Sequence, residues 1–177
     1  RNSWPACGNR KSRANDDARN DNGGGLAMDL ILWRHAEAEP GEPDLGRRLT
    51  PKGVKQAERM ALWLDAHLPD TCRILVSPAD RAQQTALALD RKFRTVPEIA
   101  PGASVAAVLS AANWPESREP VLVVGHQPTL GMVASFLLAG EEAYWSVRKS
   151  AVWWLSDRAK EGGAAVVLKA ALSPDFL

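Results

Sequence analysis

Arg34 and His35 stand together at the end of a short apolar run, in the stretch LILWRHAEAEP (30–40). Two more residues of the same kinds occupy matching places. Arg81 comes shortly after the run RILVS (73–77), and His126 directly follows PVLVVG (120–125). An arginine offers a planar, bidentate grip on phosphate oxygens. A histidine changes charge near neutral pH, so its neutral ring is available as a nucleophile. Two of each at one place would make an anion site with an activated nucleophile. Each residue alone has a plainer reading: a surface arginine paired with a carboxylate, a structural histidine, a metal ligand. Flanking cations oppose a metal ion, and the chain has no HExxH pair. His67, the third histidine, ends a helical stretch ahead of Pro69, where the helix dipole favours it, and is given no role. Other signatures of phosphoryl or acyl transfer are missing: GxxxxGK[ST], GxGxxG after a strand and GxSxG, and no CxxxxxR loop follows a strand, since Cys72 precedes one. Histidine is left as the nucleophile.

The elements that must position these residues alternate along the chain. DLILW (29–33), RILVS and PVLVVG are short apolar runs, the pattern of strands buried on both faces. TPKGVKQAERMALWLDAHL (50–68) predicts a helix with Thr50 as N-cap and Pro51 in the first position. Its apolar stripe is Val54, Ala57, Met60, Ala61 and Leu64. PADRAQQTALALDRKF (78–93) predicts a second helix, with Ser77 as N-cap and Ser77-x-x-Asp80 as a capping-box variant. TVPEIA (95–100) is extended, a short edge strand. SVAAVLSAAN (104–113) and TLGMVASFLLAG (129–140) are helical, the latter closed by Gly140. AVWWLS (151–156) and AVVLKAAL (165–172) flank a turn-like segment and read as a hairpin.

Strands alternating with helices imply an α/β three-layer sandwich. A mostly parallel central sheet carries helices on both faces, and the hairpin adds an antiparallel C-terminal edge. In such sheets ligands bind beyond the carboxyl ends of the strands. Arg34, His35 and His126 are all delivered there. Arg81 falls in the first turn of a helix, whose positive end disfavours a cation unless an anion lies between them. That position, with Arg34 at a neighbouring strand end, favours the anion over a simple surface ion pair.

Composition limits the alternatives. The 177 residues are near the size of one domain, with a net charge of +1, so no overall field recruits nucleic acid or an acidic membrane. No apolar run approaches a membrane span. Seven Trp are read as packing, although Arg148–Lys149 near Trp145 and Trp153–Trp154 come closest to a basic–aromatic patch. Two cysteines, Cys7 and Cys72, fit a reducing, cytoplasmic setting. Residues 1–27 are rich in Asn, Asp, Arg and Gly without apolar periodicity, and read as a disordered extension or upstream remnant ahead of a domain over 28–177.

These motifs resemble those of the histidine phosphatase superfamily, which has the phosphoglycerate mutase-like fold. RHAEAE (34–39) is similar to its RHG-type signature, with Ala36 in place of the commoner Gly. LTPKG (49–53), SPADRAQQT (77–85) and VVGHQPTL (123–130) match its later motifs in order and spacing. The RHA variant and RRLTPKG resemble the SixA-type phosphohistidine phosphatases. The resemblance implies a metal-independent enzyme, without cofactor, in which His35 forms a covalent phosphohistidine. Arg34, Arg81 and His126 would hold the phosphoryl oxygens, and Arg48 is a further phosphate or substrate contact. Larger members use an acidic proton donor; here Glu98 and Glu37 are the candidates, neither with a clear case. A P–N bond to imidazole needs less acid help, which favours a phosphohistidine-carrying protein, such as a histidine phosphotransfer domain, as partner. A small-molecule phosphomonoesterase and a non-catalytic phosphate-binding module are the rival readings.

Overall fold

The apolar runs become strands because their side chains are taken up on both faces of one sheet. The computed structural model describes residues 27–160 and 163–177. The expected extension over 1–27 lies, apart from Ala27, outside the described residues. Six strands form the sheet: β1 (Met28–Arg34), β2 (Arg73–Val76), β3 (Arg94–Thr95), β4 (Val121–Gly125), β5 (Val152–Lys160) and β6 (Gly163–Leu172). Their spatial order is β3-β2-β4-β1-β5-β6. The first four are mutually parallel, and β5 and β6 join as the antiparallel edge. The four helices among the described residues are α1 (Pro51–His67), α2 (Asp80–Leu87), α3 (Val105–Ala112) and α4 (Thr129–Ala139).

Alternation along the strands divides the core in two. Leu30, Leu32, Val121 and Val123 pack with Val105 and Val108 of α3 and Leu130 and Val133 of α4. Ile31, Trp33, Leu122 and Val124 face the other way, onto Met60 and Leu64 of α1 and Ala82 and Ala86 of α2. The expected three layers result. Within the described residues no helix is long and apolar enough to cross a membrane.

Several local expectations hold. Thr50 caps α1, its hydroxyl accepting from the Gly53 N–H at 2.9 Å. Gly140 ends α4 with φ of +80°. His67 sits on its own helix, ring stacked on Trp63 at 4.4 Å and Nδ1 2.7 Å from the Trp63 carbonyl. Trp33 and Trp154 are core side chains, and Trp145 packs against Trp153.

Others change. Val54 is 43% exposed, and Gly53 takes its place on the buried face of α1. The helix expected over 78–93 is shorter, because the chain leaves it after Leu87 and Asp90 adopts φ of +53°. Ser77 does not cap it: Ala79 occupies the N-cap position, with no side-chain cap bond.

Candidate active site

Strand register sets the site. Arg34 pairs with Gly125 across β1 and β4, so His35 and His126 leave the sheet side by side. Their ring centroids are 5.1 Å apart. On the far side of β4, Val76 pairs with Val124, which brings Ser77 beside the same edge. Backbone bonds lock the three strand ends together, with the His35 N–H on Gly125 O at 3.0 Å and the Ser77 N–H on Val124 O at 3.1 Å.

His35 is 9% exposed. Its Nδ1 lies 2.7 Å from the Ala36 carbonyl, which can only accept, so Nδ1 carries the proton and Nε2 carries the lone pair. Burial, with the charges of Arg81, Arg34 and Arg47, lowers its pKa to about 4, against a bond to Ala36 that raises it. The ring is therefore neutral and nucleophilic at pH 7.

His126 is 4% exposed, and its Nε2 lies 2.6 Å from Ser77 Oγ. Ser77 Oγ accepts from the Ala79 N–H at 3.4 Å and can donate its own proton to Nε2. That arrangement leaves the ring proton on Nδ1, which is buried and has no partner among the described residues. Burial first, then the His35 ring and the Arg81 charge, lower the pKa of His126 to about 3.

Both arginines lie close enough to act electrostatically on both rings. Arg34 donates from Nη1 to the Val147 carbonyl at 2.7 Å, and burial lowers its pKa from the usual arginine value. Arg81 is 4% exposed. Its two terminal nitrogens grip Asp44, Nη1 on the carbonyl at 2.5 Å and Nη2 on Oδ2 at 2.9 Å. The carboxylate pairing considered for Arg81 is thus real, but it uses only the end of the guanidinium. The Nε of Arg34 and the Nε of Arg81 are both buried and unpartnered among the described residues. Unpaired buried donors are rare and costly. With His126 Nδ1 they make three, on side chains that act on the His35 ring, and they suit a ligand with several acceptor oxygens.

The motif residues between these four hold the frame. Thr85 Oγ1 accepts from the Ala36 N–H at 3.0 Å and donates to the Arg81 carbonyl at 2.6 Å. Gln56 Oε1 accepts from the Glu37 N–H at 3.0 Å, and Gln84 Oε1 from the Leu49 N–H at 2.7 Å. Gln127 donates to the Trp145 carbonyl, which fixes the segment carrying Val147.

The weaker candidates fare differently. Glu37 accepts from Lys149 at 3.1 Å and from the Thr50 hydroxyl at 3.3 Å. The Lys149 bond holds its carboxyl below the usual range, so it stays ionised and is a poor acid. Glu98 is exposed in the 3-10 turn Pro97–Ile99 and forms no hydrogen bond or ion pair with the four among the described residues. Arg48 is exposed and lines a groove between α1 and α2. The cation whose field reaches His35 is its neighbour Arg47, which also bonds Asp44 Oδ1 at 3.0 Å. Asp44 and Arg47 are site residues that sequence reasoning missed, as it missed the bond of Ser77 to His126. Their only signal was an acid three residues before a base, just ahead of LTPKG.

Residues 30–104 match the family model of the histidine phosphatase superfamily, branch 1. A phosphohistidine phosphatase SixA from Escherichia coli is 32% identical over 123 residues, covering 64% of this chain and 76% of the relative. The chain belongs to the histidine phosphatase superfamily. It is a phosphatase with the phosphoglycerate mutase-like fold, as the motif order implied. A SixA-type structure from Nakamurella multipartitia superposes with a TM-score of 0.68 at 28% identity, covering 85% of this chain and 98% of the other. The protein histidine phosphatase SixA complexed with tungstate gives 0.69 at 26% identity, covering 84% and 99%.

Proposed function

We propose that the protein hydrolyses phosphohistidine carried on another protein, with His35 as the nucleophile. The observation that carries this reading is a set of three buried nitrogens without a partner among the described residues, Nε of Arg34, Nε of Arg81 and Nδ1 of His126, on side chains whose charge or ring reaches His35. Nε2 of His35 attacks phosphorus in line, forming a P–N bond to the enzyme as the P–N bond to the substrate ring breaks. A substrate ring protonated on its other nitrogen leaves as neutral imidazole, so no strong protein acid is needed. The ionised Glu37, and Glu98 with no bond to the four among the described residues, fit that economy. The three donors take up charge on the equatorial oxygens. Water then attacks the phosphoryl group on His35. The Nδ1–H held by Ala36 keeps that ring in its protonated, better leaving form, and inorganic phosphate is released.

Tungstate is a tetrahedral oxyanion like phosphate, and the SixA protein solved with it supports an oxyanion as the ligand of this fold. Histidine phosphotransfer domains or similar carriers are the proposed substrates. The test is turnover of a phosphohistidine-carrying phosphotransfer domain beside a sugar phosphate. Wild type should prefer the former and trap acid-labile phosphate on the protein. His35→Ala should lose both turnover and trapped phosphate while still binding tungstate. Turnover retained in His35→Ala, or a strong preference for the ester, refutes the reading.

A further inference from the structure

Next to the phosphate site the surface sinks into a polar cavity of about 300 Å³, between the start of α1 and the segment joining α4 to β5. Arg34 forms part of its wall, so the cavity and the phosphate site share a residue. Lys52, Arg148 and Lys149 line it as well, facing two carboxylates, Glu37 and Asp175. With Arg34 assigned to the phosphoryl group, three cations face two acids. Both ammonium groups share one oxygen of Glu37, Lys149 at 3.1 Å and Lys52 at 3.8 Å. Arg148 meets Asp175 only at 3.7 Å, and both side chains are more than 60% exposed. Exposed pairs of this kind hold little energy, so an incoming carboxylate can replace them at small cost.

We propose that this cavity docks an acidic stretch of the partner protein, carboxylates lying within a few residues of the phosphohistidine. The inference rests on the phosphohistidine-protein reading above. A chain that presents its phosphorylated ring to His35 must lay neighbouring residues over the surface around Arg34. One extended residue spans about 3.3 Å and one helical turn about 5.4 Å, so flanking side chains reach the cavity without rearrangement. Its rim cations are placed for steering and selection rather than chemistry, the usual contribution of exposed complementary charge.

Two phosphohistidine peptides of equal length test it, one with Glu on both flanks of the phosphohistidine and one with Gln there. At low ionic strength wild type should favour the Glu peptide by about tenfold in kcat/KM, carried by KM and fading with salt. The triple variant Lys52→Gln, Arg148→Gln, Lys149→Gln should treat the peptides alike. It should keep wild-type kcat on p-nitrophenyl phosphate, which carries no carboxylate for these cations to hold. Equal use of the peptides by wild type, or an undiminished preference in the variant, overturns the docking surface and leaves the activity standing. No turnover of either peptide by wild type overturns the activity reading and the docking surface with it.

Discussion

Ser77 shows how much a single hydroxyl decides at this site. A serine between a strand and a proline-led helix has the local signature of a cap, and the sequence carries no sign that β4 will lie beside it. In the fold its hydroxyl goes to His126 Nε2 at 2.6 Å. The bond a histidine makes at one nitrogen sets which nitrogen holds the proton. Removing it frees His126 to place its proton on Nε2, which would turn a lone pair toward the phosphoryl oxygens. Ser77→Ala should therefore lower kcat by about tenfold or more, the scale expected when one positioned proton donor is lost. Nitrogen-15 NMR of His126 should show a mixed tautomer where wild type shows Nδ1–H. An unchanged kcat with an unchanged tautomer would mean that Ser77 is only structural. The same blindness applies to Arg47 and Arg48. Adjacent loop residues have no periodicity to say which one turns inward, and only the grip of Arg81 on Asp44 settles that Arg47 does. The places of Arg34, His35, Arg81 and His126 at one edge of the sheet were legible for the opposite reason. Strand ends are announced by the apolar runs before them, and α/β sheets gather those ends at one edge.

At the scale of elements, the strands and helices followed from apolar runs and helical spacing, but the contacts between elements did not. Gly53 is the clearest case. Within LTPKG it reads as a mild weakness in a helix's first turn. In the structure it lets α1 press against the loop after His35: a Cβ on Gly53 would stand 1.9 Å from the Glu37 carbonyl oxygen. The obstacle is backbone, and the same Glu37 carbonyl accepts the Thr50 N–H at 3.0 Å, so it cannot swing aside without breaking that bond. Gly53→Ala should cost about 1–3 kcal/mol of stability by overpacking, despite alanine's better helix propensity. It should also reduce kcat, because the displaced backbone begins two residues from His35. Chemical denaturation and steady-state kinetics on one preparation check both. A variant stabilised by its alanine would show that the helix and loop do not press together. The length of α2 was illegible for a related reason. LALDRKF continues a plausible helical pattern, and the turn at Asp90 depends on how the chain must reach β3.

For the whole molecule, the consequence is a dependence of stability on pH that originates in the active site. A site built into the edge of the core keeps two rings neutral that water would allow to protonate near pH 6.5. His35 titrates at about 4 and His126 at about 3, with burial the leading cause for each. Between pH 6.5 and these values the unfolded chain binds two protons that the folded chain refuses. Stability must therefore fall as pH falls through that window, by up to about 1.4 kcal/mol per pH unit for each ring. Carboxylates such as Asp44 and Glu37, held below their ordinary values by their partners, add their own loss only at lower pH. The interval from pH 6.5 to 5 isolates the histidines. Over it the Tm of wild type in phosphate-free buffer should drop, and that of His35→Ala/His126→Ala should be nearly flat. Tungstate should reverse part of the trend. Its negative charge favours protonated rings, so the complex takes up protons and its affinity rises as pH falls. A double variant whose Tm parallels wild type between pH 6.5 and 5 would show that the two rings are not held neutral by the fold, and with that the account of His35 as a ready nucleophile would fail.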